Sequence, residues 1–295
     1  IQNFNKLKKI VNKIQPEIIF HLAAQSLVLP GYKKVLDTYS TNFMGSINLL
    51  EIAKHSKKTK AILVTTTDKV YKNYKNNIEF TEKSELGGKD PYSASKAALE
   101  VAIQSFIEVS VHKEIRIASL RAGNVIGGGD WADDRIIPDL IKGIIKNKNP
   151  VLRNPNSKRP WQYVLEPLSS ILWLAAKMYQ EPTKFDEAWN FGPTSSSLTV
   201  RELANAILKE WDTNLMCEIQ NNSDDMPESD ILLLDSSKAE KNLGWKNILS
   251  IEETIFETVS WYKKNKNDME EIKQFSLNQI EKYVTKAKQR NTIWA

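Results

Sequence analysis

Short runs of apolar and β-branched residues, Ile18-Ile19-Phe20, Ala61-Ile62-Leu63-Val64-Thr65 and Ile115-Arg116-Ile117-Ala118-Ser119-Leu120, alternate along this chain with longer stretches whose apolar residues fall at helical spacing. A strand that is apolar at nearly every position is covered on both faces, and strands separated by helix-length segments pair in parallel. The expected fold is therefore α/β, built on a parallel sheet. Helices are predicted over Lys6 to Ile14, where Leu7, Ile10, Val11 and Ile14 share a face before Pro16, over Asp37 to Lys54, and over Tyr92 to Ser110. In the last of these Glu100, Gln104 and Glu108 form the one polar stripe, so the helix is expected to be covered on two sides, by its sheet and by a second subunit. Beyond Gly127 the rhythm loosens into a loop bearing glycine and tryptophan, a helix near Ile136 to Lys146 and short strands broken by Asn154-Pro155-Asn156. Helices near Glu166 to Tyr179, Thr199 to Trp211 and Ile251 to Tyr262, and a strand at Ala188 to Phe191, follow.

Composition narrows the class. The net charge of +5 comes from lysines scattered along the chain rather than from a basic block, so it reads as solvated surface and not as a nucleic-acid footprint. No apolar run approaches the roughly 20 residues that span a bilayer. Cys217 is the only cysteine, which rules out an internal disulfide, and His21, His55 and His112 show no metal-ligand spacing. No metal is expected, and the lack of an apolar signal segment after Ile1 leads to an expected cytoplasmic location.

Two segments carry chemistry. Tyr92-Ser93-Ala94-Ser95-Lys96 sets a phenol and an ammonium four residues apart at the start of a helix, where the positive charge can favour a phenolate that accepts a hydroxyl proton. That spacing alone is frequent by chance. Thr65-Thr66-Thr67-Asp68-Lys69 runs off the end of a buried strand, where parallel sheets gather their functional groups, although a solvated Asp-Lys pair would produce the same pattern.

The two segments in this order resemble the extended short-chain dehydrogenases/reductases that act on nucleotide sugars, both hexose epimerases and 4,6-dehydratases. In that family an acid at the position of Asp68 marks the dehydratases, and a following lysine, here Lys69, marks the CDP-glucose subfamily. Longer runs are similar to the same subfamily: Leu86-Gly87-Gly88-Lys89-Asp90-Pro91, Arg121-Ala122-Gly123-Asn124 through Gly127-Gly128-Gly129-Asp130-Trp131, and Arg153-Asn154-Pro155 through Arg159-Pro160-Trp161 to Pro167. The resemblance implies a Rossmann-like domain over residues 1–126, with 163–195 returning to it. A smaller mixed α/β substrate part would comprise 127–162 and 196–266, followed by a tail over 267–295. It implies NAD as cofactor, lined by Leu22, Ala23, Ala24, Gln25 and Ser26, approached by Thr41 and held at its ribose by Tyr92 and Lys96. It implies Asn124, Arg135, Arg159 and Asn190 as the holders of a sugar nucleotide, arginines suiting the diphosphate through their planar fork. The implied roles are Tyr92 as base at C4, Thr67 as hydrogen-bond partner of the C4 oxygen, Asp68 as acid for the leaving C6 hydroxyl and Lys69 as candidate base at C5. A homodimer or dimer of dimers through the Asp37 to Lys54 and Tyr92 to Ser110 helices is implied as well.

Two departures stand out. Where the subfamily has Arg-x-Ser-Tyr this chain reads Leu29-Pro30-Gly31-Tyr32. The glycine-rich turn between a first strand and helix, which dinucleotide binding on this fold uses, is absent, and Gly127-Gly128-Gly129 follows too late a strand to replace it. The expectation is that roughly 60 residues, two βα units, are missing ahead of Ile1. This leaves two alternatives open: a related dehydratase or C4 epimerase, and a noncatalytic remnant that binds sugar nucleotide.

Overall fold

The alternating apolar runs resolve into a four-stranded parallel sheet in the order β1-β2-β4-β9. The computed structural model describes residues 1–74, 79–110, 115–181, 184–193, 197–219, 232–264 and 268–295. Its first half runs α1 (Phe4–Ile14), β1 (Ile18–His21), α2 (Val28–Lys33), α3 (Val35–Tyr39), a π-helical turn (Ser40–Met44), α4 (Gly45–Ala53), β2 (Ala61–Thr65), a 3-10 turn (Asp68–Val70), β3 (Glu79–Phe80), α5 (Pro91–Ser110), β4 (Arg116–Ala122) and β5 (Val125–Ile126). The second half runs α6 (Ile136–Ile145), β6 (Val151–Leu152), β7 (Lys158–Arg159), β8 (Gln162–Tyr163), α7 (Leu165–Gln180), β9 (Ala188–Phe191), β10 (Leu198–Thr199), α8 (Val200–Trp211), β11 (Glu218–Ile219), β12 (Leu233–Leu234), α9 (Ser237–Leu243), α10 (Ile251–Lys264) and α11 (Met269–Gln289).

Successive residues of a strand go to opposite faces, and here both faces are covered. Ala61 and Leu63 of β2 join Leu174, Met178 and Trp189 on one side, while Ile62 and Val64 join Leu50, Leu99 and Ile103 on the other. That double burial is why the strand is apolar throughout. A separate core outside the sheet closes α6, α8 and α10 around Trp161, through Leu140, Ile141, Leu203, Ile207 and Val259.

Two expectations change, and the tail gains an element. The stripe of Glu100, Gln104 and Glu108 is not uniformly polar-facing: Gln104 and Glu108 are exposed, but Glu100 is buried. Steps of four residues advance about 40° around a helix, so the row winds from the sheet side out to solvent. The expected helix over Asp37 to Lys54 is interrupted by the π-helical turn, within which Asn42 is buried. The tail over 267–295 contains the 21-residue helix α11, capped by Asp268, whose side chain accepts from the amides of Glu270 and Glu271. His112 and the boundaries expected at 195/196 and 266/267 lie outside the described residues.

Candidate active site at the C-terminal edge of the sheet

Strand ends of a parallel sheet all point the same way, and the loops that leave β1, β2 and β4 border one cleft of about 470 Å³. Thr67, Asp68, Lys69, Tyr92 and Lys96 all line it. Thr67 follows β2 and caps the 3-10 turn, its hydroxyl accepting from the amide of Lys69 at 3.3 Å and donating to Asp68 Oδ1 at 3.0 Å. Asp68 Oδ2 is buried with no hydrogen-bond partner. Burial pushes the Asp68 carboxyl up, against the opposing influence of Lys69, the Thr67 hydrogen bond and Arg159. A carboxyl so placed tends to keep its proton, as a general acid must.

Tyr92 opens α5, and its phenol is close enough to Thr67 for a hydrogen bond and to Asp68 for repulsion. The phenol is pushed up to about 12, first by burial. This reverses the direction that the Tyr-Lys spacing suggests. Lys96 sends one N–H to the Thr65 carbonyl oxygen at 2.9 Å, and burial lowers its ammonium to about 8. The cationic influence felt by Tyr92 comes instead from Arg135.

Of the residues expected along the cofactor, Leu22, Ala24 and Ser26 line the cleft. Ala23, Gln25 and Thr41 do not. Ala23 is exposed beside it. Gln25 turns its side chain to the backbone of Leu27 and to Thr38, at 2.6 to 3.0 Å, because it braces the bend after β1. Asn42 holds the same bend from the π-helical turn, accepting from the Gln25 amide at 2.8 Å and donating to its carbonyl at 2.9 Å and to Ser95 Oγ at 3.0 Å. Thr41 accepts from Gln2 at 2.9 Å.

On the opposite wall Asn124, Arg135 and Arg159 line the cleft, and Asn190 does not. Asn190 sits in β9 at 0 % exposure, with its amide donating to the carbonyls of Phe80 and Asp235 and its Oδ1 accepting from Tyr71 at 2.5 Å. It ties β9 to β3. Arg135 reaches across the cleft, pairing with Asp130 at 2.9 Å and donating to Ser26 Oγ at 2.8 Å. Asn124 Oδ1 is buried without a partner. The divergent Leu29 and its neighbours Leu27 and Val28 add an apolar wall, and Gly31 of α2 packs beside Tyr92. Arg153 also lines the cleft, paired with Asp134 at 3.1 Å. Its position in the run before Asn154 was the available signal, but no charge pattern separated it from surface arginines.

A family model described as GDP-mannose 4,6 dehydratase matches residues 1–258. The chain belongs to this family of sugar-nucleotide 4,6-dehydratases. It is 40% identical over 272 residues to the CDP-glucose 4,6-dehydratase of Salmonella typhimurium, covering 89% of this chain and 75% of that protein. It is 30% identical over 268 residues to the dTDP-D-glucose 4,6-dehydratase of Mus musculus, covering 89% of this chain and 72% of that one. Among solved structures, the dTDP-glucose 4,6-dehydratase of Streptomyces venezuelae, crystallised with NAD and TYD, matches with a TM-score of 0.77 at 21% identity, over 90% of this chain and 78% of that one. The UDP-glucose 4-epimerase of Thermotoga maritima, crystallised with UDP-glucose, matches with a TM-score of 0.76 at 20% identity, over 89% of this chain and 82% of that one. At such identities the two structures speak for the fold alone, which dehydratase and epimerase share. Among the described residues of this dehydratase-family chain, no helix is long and apolar enough to cross a membrane, and no group of three or more His, Cys, Asp or Glu could hold a metal.

Proposed function

We propose that the protein catalyses the NAD-dependent dehydration of CDP-glucose to CDP-4-keto-6-deoxyglucose. The observation that carries this reading is the meeting of Thr67, Asp68 and Tyr92 in one buried corner, with Asp68 biased by burial toward its protonated form. An epimerase has no need of such an acid.

The cleft fits the nicotinamide end of the cofactor. Lys96 has three donors and uses one on Thr65, which leaves others for ribose hydroxyls, and Leu22 and Ala24 offer an apolar floor. The run Gly127-Gly128-Gly129 between β5 and α6 packs against Val164 and Trp261. When bound, NAD would supply a hydride acceptor at C4 and return that hydride at C6.

The rest is work for the chain's own side chains. Thr67 turns its one hydroxyl hydrogen from Asp68 to the C4 oxygen, and Tyr92 takes the proton of the C4 hydroxyl. Once C4 is a ketone the C5 hydrogen is acidic, Lys69 removes it, and Asp68 protonates the departing C6 hydroxyl. Arg159 and Arg135 are suited to the diphosphate, and the unpartnered Asn124 Oδ1 to a hydroxyl. The cytidine preference rests on the 40% identity to the Salmonella enzyme.

Incubation with CDP-glucose and NAD is expected to give a product lighter by one water with no net NADH. Recovery of the 4-epimer would transfer the protein to the epimerases. Calorimetric titration that detects CDP-glucose binding but no NAD binding would favour a noncatalytic sugar-nucleotide binder.

A further inference from the structure

Tyr92 and Lys96 are followed one helical turn later by Glu100, a third ionisable residue on the sheet-facing side of α5. Glu100 is 1 % exposed, and neither carboxylate oxygen is idle. Oε1 accepts from Thr66 Oγ1, while Oε2 accepts from Ser119 Oγ at 2.8 Å and from Arg121 Nη2 at 2.7 Å. Arg121 is itself buried, lies over the ring of Tyr71 and donates to its hydroxyl at 2.9 Å.

This network sits directly behind the reacting groups. Lys96 binds the carbonyl of Thr65 and Glu100 binds the hydroxyl of Thr66, so two consecutive turns of α5 grip the two residues that precede Thr67 and Asp68. A buried ammonium needs an opposing charge, and the Glu100 carboxylate is the group that acts in Lys96's favour against desolvation. The other ionisable groups around the pair are His21 on β1, which Lys96 influences, Asp68 and Tyr92 at the cleft, and Arg121 with Tyr71 behind β4.

We propose that Glu100 is a positioning residue of this site: its carboxylate, itself held by Arg121 and Ser119, tethers through Thr66 the strand end that presents Thr67 and Asp68. The inference rests on the dehydratase reading given above.

The test is Thr66→Val, which deletes one hydroxyl and keeps every charge. Its kcat for dehydration is expected to fall about tenfold at unchanged KM, and Thr66→Ser, which restores the hydroxyl, to recover most of the loss. Hydrogen exchange of the Lys69 amide, in the turn that follows the tethered strand end, should quicken in Thr66→Val whether or not the protein turns over CDP-glucose. Parental exchange in Thr66→Val overturns the tether, and so does parental kcat in an active enzyme. Absence of turnover in the wild type together with faster exchange in Thr66→Val would count against the dehydratase reading alone.

Discussion

At the scale of single residues the site divides its labour by environment. Asp68 and Tyr92 are both held toward their protonated forms by burial, which suits an acid and makes the tyrosine dependent on its surroundings to act as a base. Asp68→Asn should leave the first oxidation measurable while slowing release of water by about a hundredfold or more, whereas Tyr92→Phe should abolish the oxidation. Single-turnover absorbance of NADH separates them, and equal loss of hydride transfer in both would contradict the assignment. A second expectation concerns His21, whose imidazole burial lowers to about 4 while its Nε2 lies 2.7 Å from Ser46 Oγ. Between pH 6.5 and about 4 the unfolded chain takes up a proton that the native state refuses, so stability falls as the solution is acidified through that window. The drop in thermal midpoint from pH 7 to pH 5 should shrink in His21→Gln. That Tyr92, Lys96 and Asp68 gather at one cleft was legible in the sequence, because residue type, local spacing and the end of a buried strand marked them. Glu100 was not, since the residue that draws it inward, Arg121, lies 21 positions away on β4, and the burial of Asn190 was not, since its partners Phe80 and Asp235 lie 110 and 45 positions away.

At the scale of elements, the four strands of the sheet and most helices followed from periodicity, because a sheet covered on both faces leaves a nearly continuous apolar record in β2, while β4 keeps its apolar character despite Arg116, Ser119 and Arg121. What escaped were elements whose burial is partial. The helix α2 is six residues long and α11 is strongly polar, with Gln279 and Tyr283 among its few buried side chains. The run Gly127-Gly128-Gly129 acquires a structural reason that the sequence alone did not supply. A Cβ on Gly128 would lie 2.0 Å from Cγ of Trp261, and Gly129 has φ +87°, so the loop can pass against α10 only as glycine. Gly128→Ala is therefore expected to cost about 1 to 3 kcal/mol, visible as a lower denaturation midpoint, and a midpoint equal to wild type would mean that Trp261 rotates away freely.

At the scale of the molecule, the C-terminal helix and the segment ahead of α10 are fastened to α7 at Glu166. This residue of α7 is fully buried, accepts from the amides of Ile248 and Leu249 at 2.8 to 3.1 Å and from the Tyr283 hydroxyl of α11 at 2.8 Å. Tyr283→Phe should cost about 1 to 3 kcal/mol, measurable by urea denaturation, because it leaves a carboxylate oxygen short of a donor in a dry setting. The knot has a mechanical corollary. Parting α7 from α11 would expose that carboxylate and undo its bonds together, so these segments move as one. At the mouth of the cleft, by contrast, the half-exposed Arg135 to Ser26 bond crosses within reach of water and is cheap to break, which makes it a natural point of entry for a bulky ligand.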